Sequence, residues 1–281
     1  MREIAVDQIT EAVKRLCLLA NYRLGEDVIQ KLESAEREEK SPLGKKVLQQ
    51  IIENDEIAAR DEVPICQDTG MAVIFVELGQ DVHVVGGDFT RAIDEGVRRA
   101  YVEGYLRKSV VSDPLFNRKN TGDNTPSIIH TSIVPGDRLK ISVLPKGFGS
   151  ENMSALKMLK PSDGVDGLKD FVLETIVKAG PNPCPPVIVG VGVGGTMEKA
   201  AELAKRATCR RLGEPNPDPR YARLESELLE AINRTGIGPA GLGGTVTALA
   251  VHVEYYPTHI AGLPVAVNVL CHAARHAELV I

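Results

Sequence analysis

Pro64-Ile65-Cys66-Gln67-Asp68-Thr69-Gly70 runs directly into Met71-Ala72-Val73-Ile74-Phe75-Val76. Asp tolerates tight backbone geometry and Gly supplies a positive φ, so Asp68-Thr69-Gly70 reads as a turn. A charged segment precedes it and an apolar run follows, which makes the junction helix to strand. The turn carries a thiol at Cys66 and a carboxylate two residues later. Taken alone, it is equally a loop with a half-buried cysteine, because such a thiol often behaves as a small hydrophobe.

Upstream of the turn, residues 7–60 read as helices. Ile9, Val13, Leu16, Cys17 and Ala20 recur at intervals of three and four, which puts Cys17 on a buried stripe. Gly25 ends that helix, a charged second helix runs to about residue 40, and Ser41-Pro42 opens a third. Downstream, residues 71–78 and 82–85 predict strands and residues 89–107 a helix. Residues 128–134 and 139–144, separated by Pro135-Gly136-Asp137, predict a hairpin. A helix is expected through Met153, Leu156 and Leu159, another over 168–178, then a buried strand over 187–195. Helices over 197–206 and 221–232 follow, and strands over 246–253 and 263–270 close the chain. The fold class is α/β: one domain over 1–281, with a helical cap at 1–60 and a mixed α/β body at 61–281.

The 281 residues are 43% hydrophobic and 25% charged, with a formal net charge of −5. That length buries a sizeable core. The acidic balance, 4% aromatics and absence of Trp argue against nucleic acid as a partner. No apolar run approaches the ~20 residues of a membrane span. The charged start, Met1-Arg2-Glu3-Ile4, lacks the apolar centre of a signal peptide. Five scattered cysteines do not form a disulfide framework, so a reducing cytoplasm is the expected compartment.

Gly190, Gly192 and Gly195 match a dinucleotide fingerprint between a strand and a helix. The segment some 20 residues on is a Pro-rich loop where that fingerprint wants an acidic strand end. A nucleotide-binding oxidoreductase subunit is therefore the rival reading from another class. The loop from Gly236 to Thr245 reads either as an anion-binding nest or as a conformationally forced turn. His272 and His276 lack the glutamate of a zincin motif.

Cys184 stands in Pro181-Asn182-Pro183-Cys184-Pro185-Pro186 and Cys271 in Asn268-Val269-Leu270-Cys271-His272, each at a turn or element end, whereas Cys17 and Cys209 fall on helices. Cys66-Gln67-Asp68-Thr69-Gly70, Asn120-Thr121-Gly122-Asp123-Asn124-Thr125-Pro126 and Lys146-Gly147-Phe148-Gly149-Ser150-Glu151-Asn152 occur in that order. Together they resemble the alpha subunit of class I fumarase and the related tartrate dehydratases, over about residues 12–276. The resemblance implies an iron–sulfur hydro-lyase that interconverts fumarate and malate, a tricarboxylic acid cycle reaction, with tartrate dehydration as the alternative. It implies a 4Fe-4S cluster on Cys66, Cys184 and Cys271, with Asp68 catalytic. It implies substrate contacts from Gln67, Asp68, Arg107, Gly149, Asn152 and His259 to a small dicarboxylate. Single-chain members of that family carry a second domain that has no counterpart here. The expected partner is therefore a separate beta subunit, in a heterotetramer.

Overall fold

The computed structural model describes residues 1–281. In chain order the elements are β1 (Arg2–Ala5), α1 (Val6–Tyr22), α2 (Glu26–Glu38), α3 (Pro42–Asp61), β2 (Met71–Gly79), β3 (Val82–Val85) and α4 (Phe89–Glu103). There follow β4 (Ile128–Val134), β5 (Leu139–Lys146), the single turn α5 (Phe148–Glu151), β6 (Ala155–Leu159), α6 (Gly164–Ala179) and β7 (Val187–Gly194). The last elements are α7 (Met197–Ala207), α8 (Pro219–Asn233), β8 (Ala248–Tyr256), β9 (Leu263–Leu270) and β10 (Ala277–Val280). This is an α/β fold with a helical N-terminal segment. No helix is long and apolar enough to cross a membrane.

The chain forms two compact units. The first comprises Met1–Gly25, Asp55–Phe148 and Arg275–Ile281. Its main sheet has the order β10-β5-β2-β4, and β1 pairs with β3 separately. The stripe Ile9, Val13 and Leu16 on α1 is buried with Ile93 and Val97 of α4 and with Ile74 and Ile141 of the sheet. Each such side chain contributes roughly 1.5–3 kcal/mol on burial. Gly96 allows the two helices to cross closely, since a Cβ there would lie 2.6 Å from the Thr10 carbonyl oxygen.

The expected hairpin over 128–144 does not form, because β2 lies between its two strands. Val73 of β2 pairs in parallel with Ile128 of β4 and antiparallel with Leu144 of β5. Burial is the reason: Ala72 to Val76 are all buried and need partners on both edges, whereas β4 alternates and suits a sheet edge. Gly79 permits the arrangement, because a Cβ there would sit 2.5 Å from the Gly136 carbonyl oxygen. The helix expected to reach residue 107 stops at Glu103, where Gly104 and a positive φ at Tyr105 turn the chain.

The second unit comprises Glu26–Asn54 and Gly149–Ala274, around a sheet of order β6-β9-β7-β8. All of β7 is buried. Its valines face the apolar side chains of α6 and α8, such as Phe171 and Leu228. On the other face, a Cβ at Gly190 or Gly192 would meet the Ala204 or Ala200 carbonyl oxygen at 2.0 Å, so these glycines admit α7 against the strand. The dinucleotide-like spacing is thereby explained by helix-on-sheet packing. The helix expected through Met153, Leu156 and Leu159 is replaced by α5 and the edge strand β6, which pairs antiparallel with β9. A spacing of three is helical, and in the strand it puts Leu156 and Leu159 on opposite faces, the first exposed and the second buried; the ladder with β9 overrides the local pattern.

At its end the Gly236–Thr245 loop meets an anion, the chain's own Glu39, through Thr245 and the following Val246 and through no glycine N–H. That carboxylate is buried and accepts backbone N–H bonds from Ser41 (2.8 Å), Thr245 (2.9 Å) and Val246 (2.8 Å). Burial alone would raise its pKa, but these donors outweigh burial and hold it below the usual carboxylate range.

Candidate active site

In the first unit, the Cys66–Gly70 turn is fixed from several directions. Asp68 Oδ1 accepts from the Gly70 N–H at 3.0 Å and Oδ2 from the Phe148 N–H at 2.9 Å. The three successive carbonyls of Asp68, Thr69 and Gly70 are each held by a side chain from elsewhere in the unit. Arg275 Nη2 donates to the Asp68 carbonyl oxygen. Tyr101 donates to the Thr69 oxygen at 2.6 Å, with the Gly70 oxygen at 3.2 Å. Asn124 Nδ2 donates to the Gly70 oxygen at 3.0 Å, while its Oδ1 accepts from the Ser109 N–H at 2.8 Å. Arg275, Tyr101 and Asn124 are all essentially inaccessible to solvent. Burial is also the main reason that the Tyr101 hydroxyl titrates well above its ordinary value, so it remains a donor.

Gly70, at φ +74°, is required here: a Cβ would lie 2.7 Å from the Pro145 carbonyl carbon. Cys66 is half-buried, and its Sγ lies 3.3 Å from Gln67 Oε1. Gln67 and Arg107 are exposed in the same unit. The Arg107 carbonyl oxygen accepts from Thr69 Oγ1 at 2.9 Å, which anchors its backbone beside the turn. Its guanidinium makes no ion pair with the chain. Lys146 is buried against the neighbouring Gly147, whose carbonyl oxygen lies 3.3 Å from its Nζ.

In the second unit, Cys184 and Cys271 are drawn together: the His272 N–H donates to the Cys184 carbonyl oxygen at 3.3 Å. Cys184 is exposed with φ +56°, a conformation rare for a residue with a Cβ. Strain of this kind clusters at functional sites. The glycine-rich loop braces this turn, with the Ala240 N–H donating to Pro185 at 2.8 Å. Gly241 allows the approach, since a Cβ there would be 2.2 Å from Pro181 Cβ. Gly149 and Asn152 are exposed at the α5 turn of this unit.

His259 stands apart from the two thiols of its unit. It lies in the turn before Leu263, whereas Cys271 follows Leu270 at the other end of β9, roughly 25 Å of extended strand away. There it borders an apolar cavity of about 750 Å³ with Val165, Leu168, Tyr221 and Ile260. Neither unit alone gathers three His, Cys, Asp or Glu side chains at a metal-sized position. Cys17 is fully buried, and burial pushes its thiol up to about 12, which suits an inert core residue. Cys209 does not lie on a helix as expected but in the turn beyond α7, because that helix has already ended at Ala207.

Sequence reasoning missed Arg275, Tyr101 and Asn124 as supports of the turn. Two of them carried a signal: Asn124 lies within the Asn120–Pro126 motif, and Arg275 is a lone charge within Ala273-Ala274-Arg275-His276-Ala277, a setting where a charged residue tends to be paired.

An α/β chain with a thiol and a clamped carboxylate on one braced turn, and two further thiols on two segments joined by the His272–Cys184 bond, carries side chains of the kind a lyase uses. The chain belongs to the fumarate hydratase (fumerase) family, whose pattern matches residues 10–280. It is similar to the putative L(+)-tartrate dehydratase subunit alpha of Methanocaldococcus jannaschii, with 46% identity over 277 residues and 96% of each chain covered. It is also similar to the L(+)-tartrate dehydratase subunit alpha of Escherichia coli, at 35% identity over 280 residues, covering 99% of this chain and 92% of the relative. The corresponding subunit of Shigella sonnei is 34% identical over 282 residues, covering 100% and 93%.

Proposed function

We propose that this chain is the alpha subunit of a two-subunit hydro-lyase that interconverts fumarate and malate. The observation that carries this reading is the Asp68 carboxylate, held by two N–H groups on the same rigid turn as the Cys66 thiol. The family match over residues 10–280 supports it.

Cys66, Cys184 and Cys271 are the residues that would hold a 4Fe-4S cluster. The donors fit that group: all three are thiols in turns, none is fully buried, and soft thiolates are the ligands iron–sulfur clusters take. When bound, such a cluster with one open iron supplies a Lewis acid that makes hydroxide a tolerable leaving group. Enzymes with such thiolates belong in a reducing cytoplasm.

The chain's own residues supply the rest. Asp68 takes up or returns the substrate proton, its lone pairs aimed by the Gly70 and Phe148 N–H groups. Arg107 offers an unpaired guanidinium, a planar fork matched to one substrate carboxylate. Gln67, with Gly149 and Asn152, supplies hydrogen bonds that orient the dicarboxylate. His259, at the far end of β9 from Cys271, would reach a substrate held near that thiol only when delivered by a second copy of the chain. An assembly with two alpha and two beta chains provides such a copy.

A dicarboxylate needs a second cation, because burying one carboxylate unpaired costs several kcal/mol. We assign that cation to the beta subunit. Tartrate dehydration is the second reading, favoured by the names of the relatives at 46% and 35% identity. The test is turnover on fumarate, malate and L(+)-tartrate by the anaerobically reconstituted chain, alone and with its beta subunit. Turnover of fumarate only in the mixture supports the proposal. Turnover of tartrate alone selects the second reading, and normal turnover by the isolated chain overturns the division of the site.

A further inference from the structure

Arg275 is 1% exposed, yet its Nε and Nη1 have no hydrogen-bond partner and it makes no ion pair. Its one bond is from Nη2 to the Asp68 carbonyl oxygen. A guanidinium carries five N–H donors, and leaving several of them buried and unmet is unfavourable. A buried charge without a contacting counter-charge adds to that cost. The carbonyls of Thr69 and Gly70 are held by the neutral groups of Tyr101 and Asn124. A neutral donor would therefore suffice to fix Asp68 as well, and the arginine is more than the backbone alone demands. What it adds is position and charge. A Cβ built on Gly147 would lie 3.3 Å from Asp68 Oδ2 and 3.6 Å from Arg275 Nη2, so guanidinium and carboxylate flank the same spot.

We infer that Arg275 is a positioning residue for the Asp68 carboxylate, retained against the stability of the fold. The inference rests on the hydro-lyase reading, in which Asp68 handles the proton. Arg275 is shut off from solvent and acts through the main chain of Asp68. It holds the main chain of Asp68 from one side while Phe148 and Gly70 hold the carboxylate from the other. Loosening one of these restraints lets the carboxylate shift by a fraction of an ångström to about 1 Å, enough to slow a reaction about 10- to 100-fold without changing how substrate binds.

The test compares wild type, Arg275→Met and Arg275→Lys, each assembled with the beta subunit and loaded anaerobically. Iron and sulfide content, melting temperature, kcat and KM are measured for all three. The expected result is that Arg275→Met keeps its iron and sulfide and melts no lower than wild type. Its kcat falls about 10- to 100-fold while KM stays within about threefold. Arg275→Lys, which keeps the charge and a donor, recovers part of that loss. Wild-type kcat in Arg275→Met overturns the inference. So does a fall of melting temperature in step with activity, or failure to fold, since each marks an arginine that serves stability. A wild-type complex inactive on all three substrates instead overturns the proposed function.

Discussion

Phe148 donates its main-chain N–H to the Asp68 carboxylate at 2.9 Å, across 80 residues of sequence, while the opposite oxygen takes the Gly70 N–H. Both carboxylate oxygens are thus acceptors, and an amide cannot replace them evenly. In Asp68→Asn one N–H would face an NH₂ group, so the side chain loses its proton acceptor and its orientation together. We expect turnover of the assembled enzyme to fall by about 10²–10⁴ with bound iron unchanged. Full turnover at intact iron content would remove Asp68 from the chemistry.

The cysteines divide by environment. Cys66→Ser, Cys184→Ser and Cys271→Ser should each lose bound iron and sulfide, because a serine hydroxyl is a hard, weakly acidic ligand. Cys17→Ser should keep them and lower the melting temperature instead, since it places a hydroxyl in a fully buried site. Cys209→Ser should keep them with little other change. Iron and sulfide assays on the five variants decide the assignment, and loss of iron in Cys209→Ser with retention in Cys184→Ser would reverse it.

His252 makes the fold acid-sensitive over a defined range. It is buried on β8 with Nδ1 3.1 Å from the Ala207 carbonyl oxygen. Burial first, and the nearby Arg210 cation second, hold its pKa down to about 4. An unfolded histidine titrates near ~6.5, so between there and about 4 the unfolded chain binds a proton that the folded chain refuses. Stability is therefore complete above that range and declines as pH falls through it, by about 3 kcal/mol in all. Melting curves at pH 4 to 7 should show this slope, and His252→Gln should flatten it. An unchanged slope in the variant would place the sensitivity elsewhere.

Glu39 acts at lower pH. Its folded pKa lies below the unfolded value, so its contribution is present above the carboxylate range and is lost as pH falls through the folded pKa. At neutral pH, Glu39→Gln leaves at least one of the Ser41, Thr245 and Val246 N–H donors poorly met. The expected cost is ~1–3 kcal/mol, read from denaturant unfolding. A variant as stable as wild type would show that water meets those donors equally well.

The sequence was most legible where a residue's neighbours in space are also its neighbours in the chain. The α1 stripe, the Asp68-Thr69-Gly70 turn and the buried run of β7 all have that property. Where partners lie far apart in sequence, pattern alone failed. Pro135-Gly136-Asp137 is sound turn chemistry, but nothing local reveals that β2 occupies the gap between β4 and β5. The Gly236–Thr245 loop reads as an anion nest or a forced turn, and nothing local reveals that Thr245 at its end meets Glu39, some 200 residues upstream. The same holds at the site: Cys66, Asp68 and Asn124 fall within recognisable motifs, whereas Tyr101 and Arg275 serve through hydrogen bonds to distant backbone and leave almost no local trace.

The pairing of β10 with β5 joins two segments of the chain that are synthesised far apart in time. Residues 277–280 form the outer strand of a sheet whose other members end at residue 146. The whole of Gly149–Ala274 is translated between them. While the ribosome makes that stretch, β5 waits with one edge unpaired, a template for strands of other chains. β10 closes that edge, and the same segment delivers Arg275 to the Asp68 turn. Sealing of the sheet and completion of the turn's supports are therefore coupled, because a chain whose β10 has not docked lacks both.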